Sequence, residues 1–306
     1  MSLAGLKYYF SNPKKIYKFL AGKGLLNWMS DKTFLKMSYR INMGKKLDLE
    51  NPKTFNEKLQ WLKLYDRKPI YTTMVDKYEV KKYVANLIGE EYIIPTLGVW
   101  DRFEDIDFDA LPNQFVLKCT HDSGGLVICK DKSQLDIKYA KSKINKCLKR
   151  NFYWLGREWP YKNVKPRIIA EKLIQDSTCE TMELTDYKFY CFNGEPKFMY
   201  ISKDVAKDPK TDFFDMEYNR LDMRMRDPNS DVPPSKPICF EKMIEISKIL
   251  SKNIPHLRVD FYFSNKNIYV GELTFFHCGG FVSIKPDSWN KIIGGWLKLP
   301  DNDKVK

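Results

Sequence analysis

The sequence predicts an α+β protein: helical periodicity fills roughly the first ninety residues, short β-rich runs begin near residue 93, and turn signals join those runs in pairs. Its 306 residues are 43% hydrophobic and 14% aromatic with only 15 Gly and 16 Pro, which supports a sizeable core and excludes disordered or collagen-like chains. No run approaches the ~20 apolar residues needed to cross a bilayer. The start, MSLAGLKYYFSNPKK, lacks the apolar core and cleavage site of a secretory leader. Seven scattered cysteines make neither a disulfide framework nor a CxxC metal knuckle. The expectation is a reduced, cytoplasmic, soluble protein.

The first element is a basic one. Residues 1–46 hold ten of the lysines and arginines and one acid, Asp31, giving +9 of the total charge of +13. Tyr8, Tyr9, Phe10, Tyr17, Phe19, Leu25, Leu26 and Trp28 are interleaved with them. Such a segment suits an anionic surface, and it equally suits a solvated lysine-rich helical appendage. Pro13, Gly22 and Gly24 interrupt a long amphipathic helix there. The rest of the chain is close to charge-balanced, so its body is not expected to bind nucleic acid.

Helices are expected over 31–41 and 54–65, the second opened by a capping box of Thr54 and Glu57. Val80, Tyr83, Val84, Leu87 and Ile88 follow the helical i, i+3, i+4 rule. FVLKC (115–119) and LVICK (126–130) form a hairpin around THDSGG, a helix covers 134–149, and RIIAEKLI (167–174) is a strand. DYKFYCF (186–192) and PKFMYI (196–201) flank Asn193-Gly194, the strongest short hairpin signal. A helix over 240–253 precedes a last strand pair, 257–263 and 268–274.

Polar residues inside these apolar strands carry the candidate chemistry. Lys118 lies in the middle of FVLKC, where an ammonium is costly without an anion, and Gly124 and Gly125 follow within a loop able to bring backbone N–H groups close to phosphate. A lysine reaching solvent from an edge strand gives the same pattern. Lys188 repeats the motif in DYKFYCF. Arg258 and Asp260 share one face of LRVDFYF, and Glu272 sits in the apolar strand YVGELTF. A connection with an odd residue count places Asp260 directly opposite Glu272, where a divalent cation shared with phosphate oxygens relieves the repulsion; a four-residue loop places them on opposite faces. Alternatively Asp260 pairs with Arg258 and Glu272 with a nearby lysine. His121 either positions a phosphate or satisfies the hairpin. His277 and Cys278 reach an acceptor or the outer shell of the metal; a Cys–His nucleophile pair is disfavoured because neighbours in an extended chain point apart. His256 reads as a surface or cap residue. Trp100, Trp154, Trp159 and Trp289 read as core or rim residues.

In this order NPKTFNEKLQWLKLYDR, VDKYEVKKYV, FVLKCTHDSGG, DYKFYCFNGEP and RVDFY…GELTF resemble the TupA-like ATP-grasp family of teichuronopeptide and capsule biosynthesis, over roughly residues 30–285. The resemblance implies two α+β subdomains clasping ATP: a basic helical segment over 1–50, a first region over 51–175 and a second subdomain over 176–306. It implies phosphate contacts from Lys77, Lys118 and Lys188, a covering turn from His121 through Ser123, Gly124 and Gly125, and a hinge in which Glu171, Lys172 and the backbone at Leu173 face adenine. Lys118, Lys188 and Arg258 become catalytic, and Asp260 and Glu272 hold Mg²⁺. Thr274 stands where most ATP-grasp enzymes carry a metal-binding Asn. The implied activity is an ATP- and Mg²⁺-dependent carboxylate ligase in surface-polysaccharide assembly, with a sugar kinase or glycosyltransferase of the same pathway as the alternative. A dead nucleotide pocket serving a surface-binding module is a third reading, opposed by the intact Lys, Lys, Asp, Glu set. The implied partners are a nucleotide and an acidic or lipid-linked glycan or amino acid acceptor, with peripheral membrane contact through residues 1–46. Acceptor specificity is expected in loops 150–166 and 202–237.

Overall fold

The computed structural model describes residues 13–175, 184–203 and 209–301. Lys7, Tyr8, Tyr9, Phe10 and part of the 202–237 loop lie outside them. The chain opens with α1 (Pro13–Gly22), α2 (Asp31–Met43), α3 (Phe55–Tyr65), α4 (Ile70–Val75) and α5 (Glu79–Ile88). The capping box at α3 forms: the Thr54 side chain accepts from the Glu57 N–H, and Glu57 accepts from Thr54 N at 2.9 Å. Thr54→Ala is expected to lower stability by about 1 kcal/mol in urea denaturation, with ligand binding unchanged.

Two antiparallel sheets follow. The smaller has the order β1 (Thr96–Trp100), β4 (Ile168–Lys172), β2 (Phe115–Cys119), β3 (Leu126–Cys129). Phe115, Leu117 and Cys119 alternate inward beneath α6 (Ile137–Leu148), which adds Ala140, Ile144 and Cys147 to their core. A one-turn helix, α7 (Tyr153–Gly156), leads into β4. The larger sheet has the order β7 (Lys210–Phe214), β6 (Glu195–Lys203), β5 (Asp186–Phe192), β8 (His256–Ser264), β9 (Asn267–Thr274). One of its faces packs under α8 (Phe240–Leu250), with Phe189 5.7 Å from Phe240; α9 (Ser288–Trp296) closes the fold against α3.

The buried side chains form two cores, and these do not follow the expected boundary at residue 175. Phe34, Phe55, Leu59 and Tyr71 from the N-terminal helices join the core of the larger sheet, while the second core belongs to residues 103–170. Two edge strands, β1 and β7, were not expected. In β1 the indole of Trp100 folds over Gly98, where any Cβ would come within 2.3 Å of the ring, so a residue that reads as a breaker is a packing requirement. His256 is a correction: it is 1% exposed, donates from Nδ1 to Cys191 O at 3.1 Å, and packs edge-on to Phe55 at 5.1 Å. Burial pushes its pKa down to about 3, so it is a neutral core residue. The six cysteines among the described residues are free, and no described helix is long and apolar enough to cross a membrane.

Candidate active site

The face of the larger sheet away from α8 carries a polar ladder. Lys188 pairs with Tyr200 on one side and Asp260 on the other, and Asp260 pairs with Glu272, so four neighbouring strands each present one polar group in a row. The β8–β9 connection is the two-residue turn Asn265-Lys266, an even count that would set Asp260 opposite Gly271. A bulge between Asp260 and Phe261 shifts the register by one and brings Glu272 opposite instead. Gly271 absorbs the extra residue beneath Tyr262, whose ring would meet a Cβ there at 2.5 Å. The expected juxtaposition is therefore present, reached by another route.

Arg258 is the hub of this ladder. It grips Asp260 with two hydrogen bonds of 2.6 Å, donates to Thr274 Oγ1 at 3.0 Å and to His277 Nδ1 at 2.7 Å, and lies 3.9 Å from Glu272. Lys188 bridges Asp260 and Asp186 at 3.0 Å each. Burial alone would raise the Asp260 pKa, but Arg258 and Lys188 outweigh it and hold the carboxylate below its ordinary range. Burial likewise opposes the charge on Lys188, and Asp260 with Asp186 reverses that and raises its pKa.

Across the cleft, the smaller sheet turns Val116, Lys118 and Glu171 toward the ladder. Glu171 borders the space between the sheets and is clamped between Lys118 and Lys81, each at 2.6 Å. Burial would raise its pKa, and the two ammonium groups instead lower it. Because the unfolded carboxyl then binds protons first as pH falls below about 4.5, this clamp stabilises the fold above that pH and is lost through the lower, folded pKa. Glu171→Gln is expected to flatten the acid limb of stability below about pH 4.5; an unchanged slope in urea titrations there would contradict it. Lys81 was not expected. Its only signal is that it shares a helical stripe with Val84 and Ile88.

Between the sheets lies a cavity of about 480 Å³, walled by Lys118 and Ile128 on one side and by Asp186 and Tyr262 on the other, with Leu173 and Ile174 of the connecting segment at its back. Asp186 also borders a second cavity of about 180 Å³, where Lys188, Tyr200, Thr211, Arg226 and Cys278 meet. The buried Asp186 Oδ1 has no hydrogen-bond partner among the described residues, an acceptor suited to a ligand hydroxyl or amine at the junction of the cavities.

The loop between β2 and β3 has three cations around it. Lys77 donates to Asp122 O at 2.8 Å, Arg150 pairs with the Asp122 carboxylate, and Arg167 fixes the start of α5 through Asp76 and Glu79 at 2.8 Å each. Ser123 N donates to Asp122 Oδ1 at 2.8 Å. His121 serves the hairpin: Nε2 donates to Cys147 O and Arg150 O at 3.2 and 3.1 Å, and burial lowers its pKa. Gly125 is required by packing, since a Cβ would come within 2.6 Å of Cys119 Sγ. Lys172 is exposed at the end of β4.

The turn after β9 corrects the expectation for His277 and Cys278. The chain is not extended there: Cys278, Gly279 and Gly280 have φ of 49°, 63° and 70°, which folds Cys278 Sγ back to 3.4 Å from His277 Nε2. The pair is still no nucleophile and base. His277 Nδ1 accepts from Arg258, so the neutral ring carries its proton on Nε2 and cannot take the thiol proton. Burial raises the Cys278 pKa as well.

The donor set answers the metal question. Among the described residues no group of three or more His, Cys, Asp or Glu is placed to hold an ion unaided. Asp260 and the 37%-exposed Glu272 side chain instead match the one- or two-carboxylate pattern by which Mg²⁺ is held jointly with phosphate oxygens. Thr274 spends its hydroxyl on Arg258.

The chain is similar to several known proteins in structure. No curated protein sequence matches the chain. Among solved structures, it is similar to D-alanine–D-alanine ligase from Bacillus anthracis with ATP (18% identity, TM-score 0.40, 66% of this chain and 55% of that one). It is also similar to the ADP complex of PurK, N5-carboxyaminoimidazole ribonucleotide synthetase (13%, 0.46, 80% and 57%). A third is the ATP-grasp ligase PsnB with a phosphomimetic variant of its minimal precursor, Mg and ADP (11%, 0.36, 72% and 57%). The chain thus spans only 55–57% of the length of these three proteins. The family model described as TupA-like ATPgrasp matches residues 57–298, which includes both sheets, the polar ladder and the turn that follows it: the chain belongs to the TupA-like ATP-grasp family.

Proposed function

We propose that this protein is an ATP- and Mg²⁺-dependent ligase that activates a carboxylate as an acyl phosphate and passes the acyl group to an amine. The observation that carries the reading is the Glu272–Asp260–Lys188–Tyr200 ladder, gathered by Arg258 beside the 480 Å³ cavity between the two sheets. The adenosine lies in that cavity against Leu173, with Asp186 Oδ1 accepting from a hydroxyl or amine. Lys77, Lys118 and Lys188 offer positive charge to the phosphates. Asp260 and Glu272 hold the magnesium, which when bound neutralises phosphate charge. Arg258, always protonated, stabilises the charge that develops on the transferring phosphoryl group. A carboxylate oxygen attacks the γ-phosphorus and the bond to ADP breaks. The amine nitrogen then attacks the acyl carbon and inorganic phosphate leaves.

In this reading Glu171, braced by Lys81, sets Lys118 at the cavity wall, and the 180 Å³ pocket by Arg226 and Cys278 receives the acceptor. Of the loops expected to carry specificity, 202–237 borders the second cavity through Arg226, and 150–166 places Glu158 beside Gly279 of the turn after β9. Surface-polysaccharide precursors carrying an amine are the acceptors this reading assigns.

An ADP-release screen of amino acids against uronic-acid glycans tests the proposal. Acceptor-dependent release of ADP and phosphate, with a hydroxamate trapped by hydroxylamine, is expected. Labelled γ-phosphate retained on the acceptor, or turnover of a nucleotide-sugar without ATP, would overturn it in favour of a kinase or a glycosyltransferase.

A further inference from the structure

The segment before the family-matched region carries a feature that nucleotide chemistry does not use. In the turn after α1, Leu25 is 57% exposed and Trp28 82% exposed, while Leu26 and Met29 between and beside them pack on the main core. Leu25 and Trp28 thus face outward and Leu26 and Met29 inward. Trp28 Nε1 donates to Leu25 O at 3.0 Å, which sets the indole beside Leu25. The turn is held firmly to the body: the wholly buried Arg157 donates to Leu26 O at 3.0 Å and Met29 O at 3.3 Å and lies 4.5 Å over Phe34.

The sequence around this pair is basic. Residues 13–46 carry nine lysines and arginines against Asp31 alone. Asp31 is neutralised from within, by Arg67 at 2.6 Å and the Tyr153 hydroxyl at 2.6 Å. Lys23, Lys32 and Lys36 are exposed nearby in sequence. Single exposed apolar residues are ordinary. A Trp–Leu pair fixed outward within a basic segment has the composition of an interfacial anchor, where an amphipathic indole sits at headgroup depth and lysines meet anionic lipid.

We infer that this turn docks the protein on an anionic membrane surface, with Leu25 and Trp28 entering the headgroup layer and the surrounding lysines supplying the attraction. An acidic polymer would engage the lysines and leave the apolar pair unused.

Sedimentation of the full chain with phosphatidylcholine vesicles containing about a quarter phosphatidylglycerol tests this, against phosphatidylcholine alone. Binding is expected to the anionic vesicles only. It should fall roughly fivefold for each of Lys23→Glu and Lys32→Glu, and about tenfold or more for Leu25→Ser with Trp28→Ser. Quenching of fluorescence by brominated lipid should disappear in Trp28→Phe. Retained thermal stability and Mg²⁺-ATP binding in each variant would show that the fold and the nucleotide site are intact. Equal binding to neutral vesicles, no binding to either, or wild-type binding by the Leu25/Trp28 double variant would overturn the proposal. Competition by an acidic glycan without lipid quenching would replace the membrane with a polymer ligand.

Discussion

Asp260→Asn should cost about 3–5 kcal/mol of stability and lower ADP release by ~100-fold or more, whereas Glu272→Gln should reduce activity comparably with little change in stability. The difference follows from their surroundings. Asp260 is 2% exposed and is the close counter-charge of Arg258 and, with Asp186, of Lys188, so removing its charge strands the buried guanidinium and leaves Lys188 with Asp186 alone. Glu272 has a half-open side chain and lies 3.9 Å from Arg258, so its loss falls within the ~0.5 kcal/mol typical of surface changes. Urea denaturation and acceptor-dependent ADP release separate the two quantities. Full turnover in both variants would remove these carboxylates from the mechanism.

Lys63→Met is the second large expected effect, about 3–5 kcal/mol in urea denaturation. On α3, Asn56, Gln60 and Lys63 recur at i, i+4 and i+7 and are all fully buried, a polar stripe inside an apolar face. Each reads a carbonyl of the turn after β9. Asn56 Nδ2 donates to Val282 O at 2.7 Å, Gln60 Nε2 to Gly279 O at 3.0 Å and Gly280 O at 2.9 Å, and Lys63 Nζ to Gly279 O at 2.7 Å. Lys63 also donates to Gly156 O at 2.9 Å and lies 4.8 Å over Phe281. Its charge faces Glu158; burial pushes the lysine down to about 8 and the carboxyl up to about 7. Methionine fills the space but leaves Gly156 O and Gln60 Oε1 without this donor and Glu158 without its counter-charge. Gly280→Ala probes the same contact from the other side, because its Cβ would come within 2.3 Å of Gln60 Nε2 at a φ of 70°. A near-neutral Lys63→Met would mean that the left-handed turn stands without this support.

Local signals are the most legible part of the sequence. The Thr54–Glu57 box, the Asn193-Gly194 turn and the helix stripe at Val80–Ile88 each need only a few adjacent residues, and each formed. Sheet register was less legible. Asp260 and Glu272 meet through an even turn corrected by a bulge, and the bulge depends on Tyr262 covering Gly271 across the strand pair. Tertiary partners were not legible at all. His256 looks like a cap until α3 and β5 close over it, and the burial of Lys63 follows from carbonyls more than two hundred residues away. Glu171 was placed correctly on its strand, but its clamp depends on Lys81, which arrives from a different element. The helices before residue 50 read as a separate segment and those over 54–88 as part of the first subdomain, because sequence distance says nothing of which core they join.

A crystal structure with Mg²⁺ and a non-hydrolysable ATP analogue is the most direct test of nucleotide binding between the sheets. The adenine is expected against Leu173 and Tyr262, with the terminal phosphate within reach of Lys188, Arg258 and a magnesium shared by Asp260 and Glu272. A nucleotide bound elsewhere, with the Asp260–Arg258–Lys188 contacts unchanged, would contradict it.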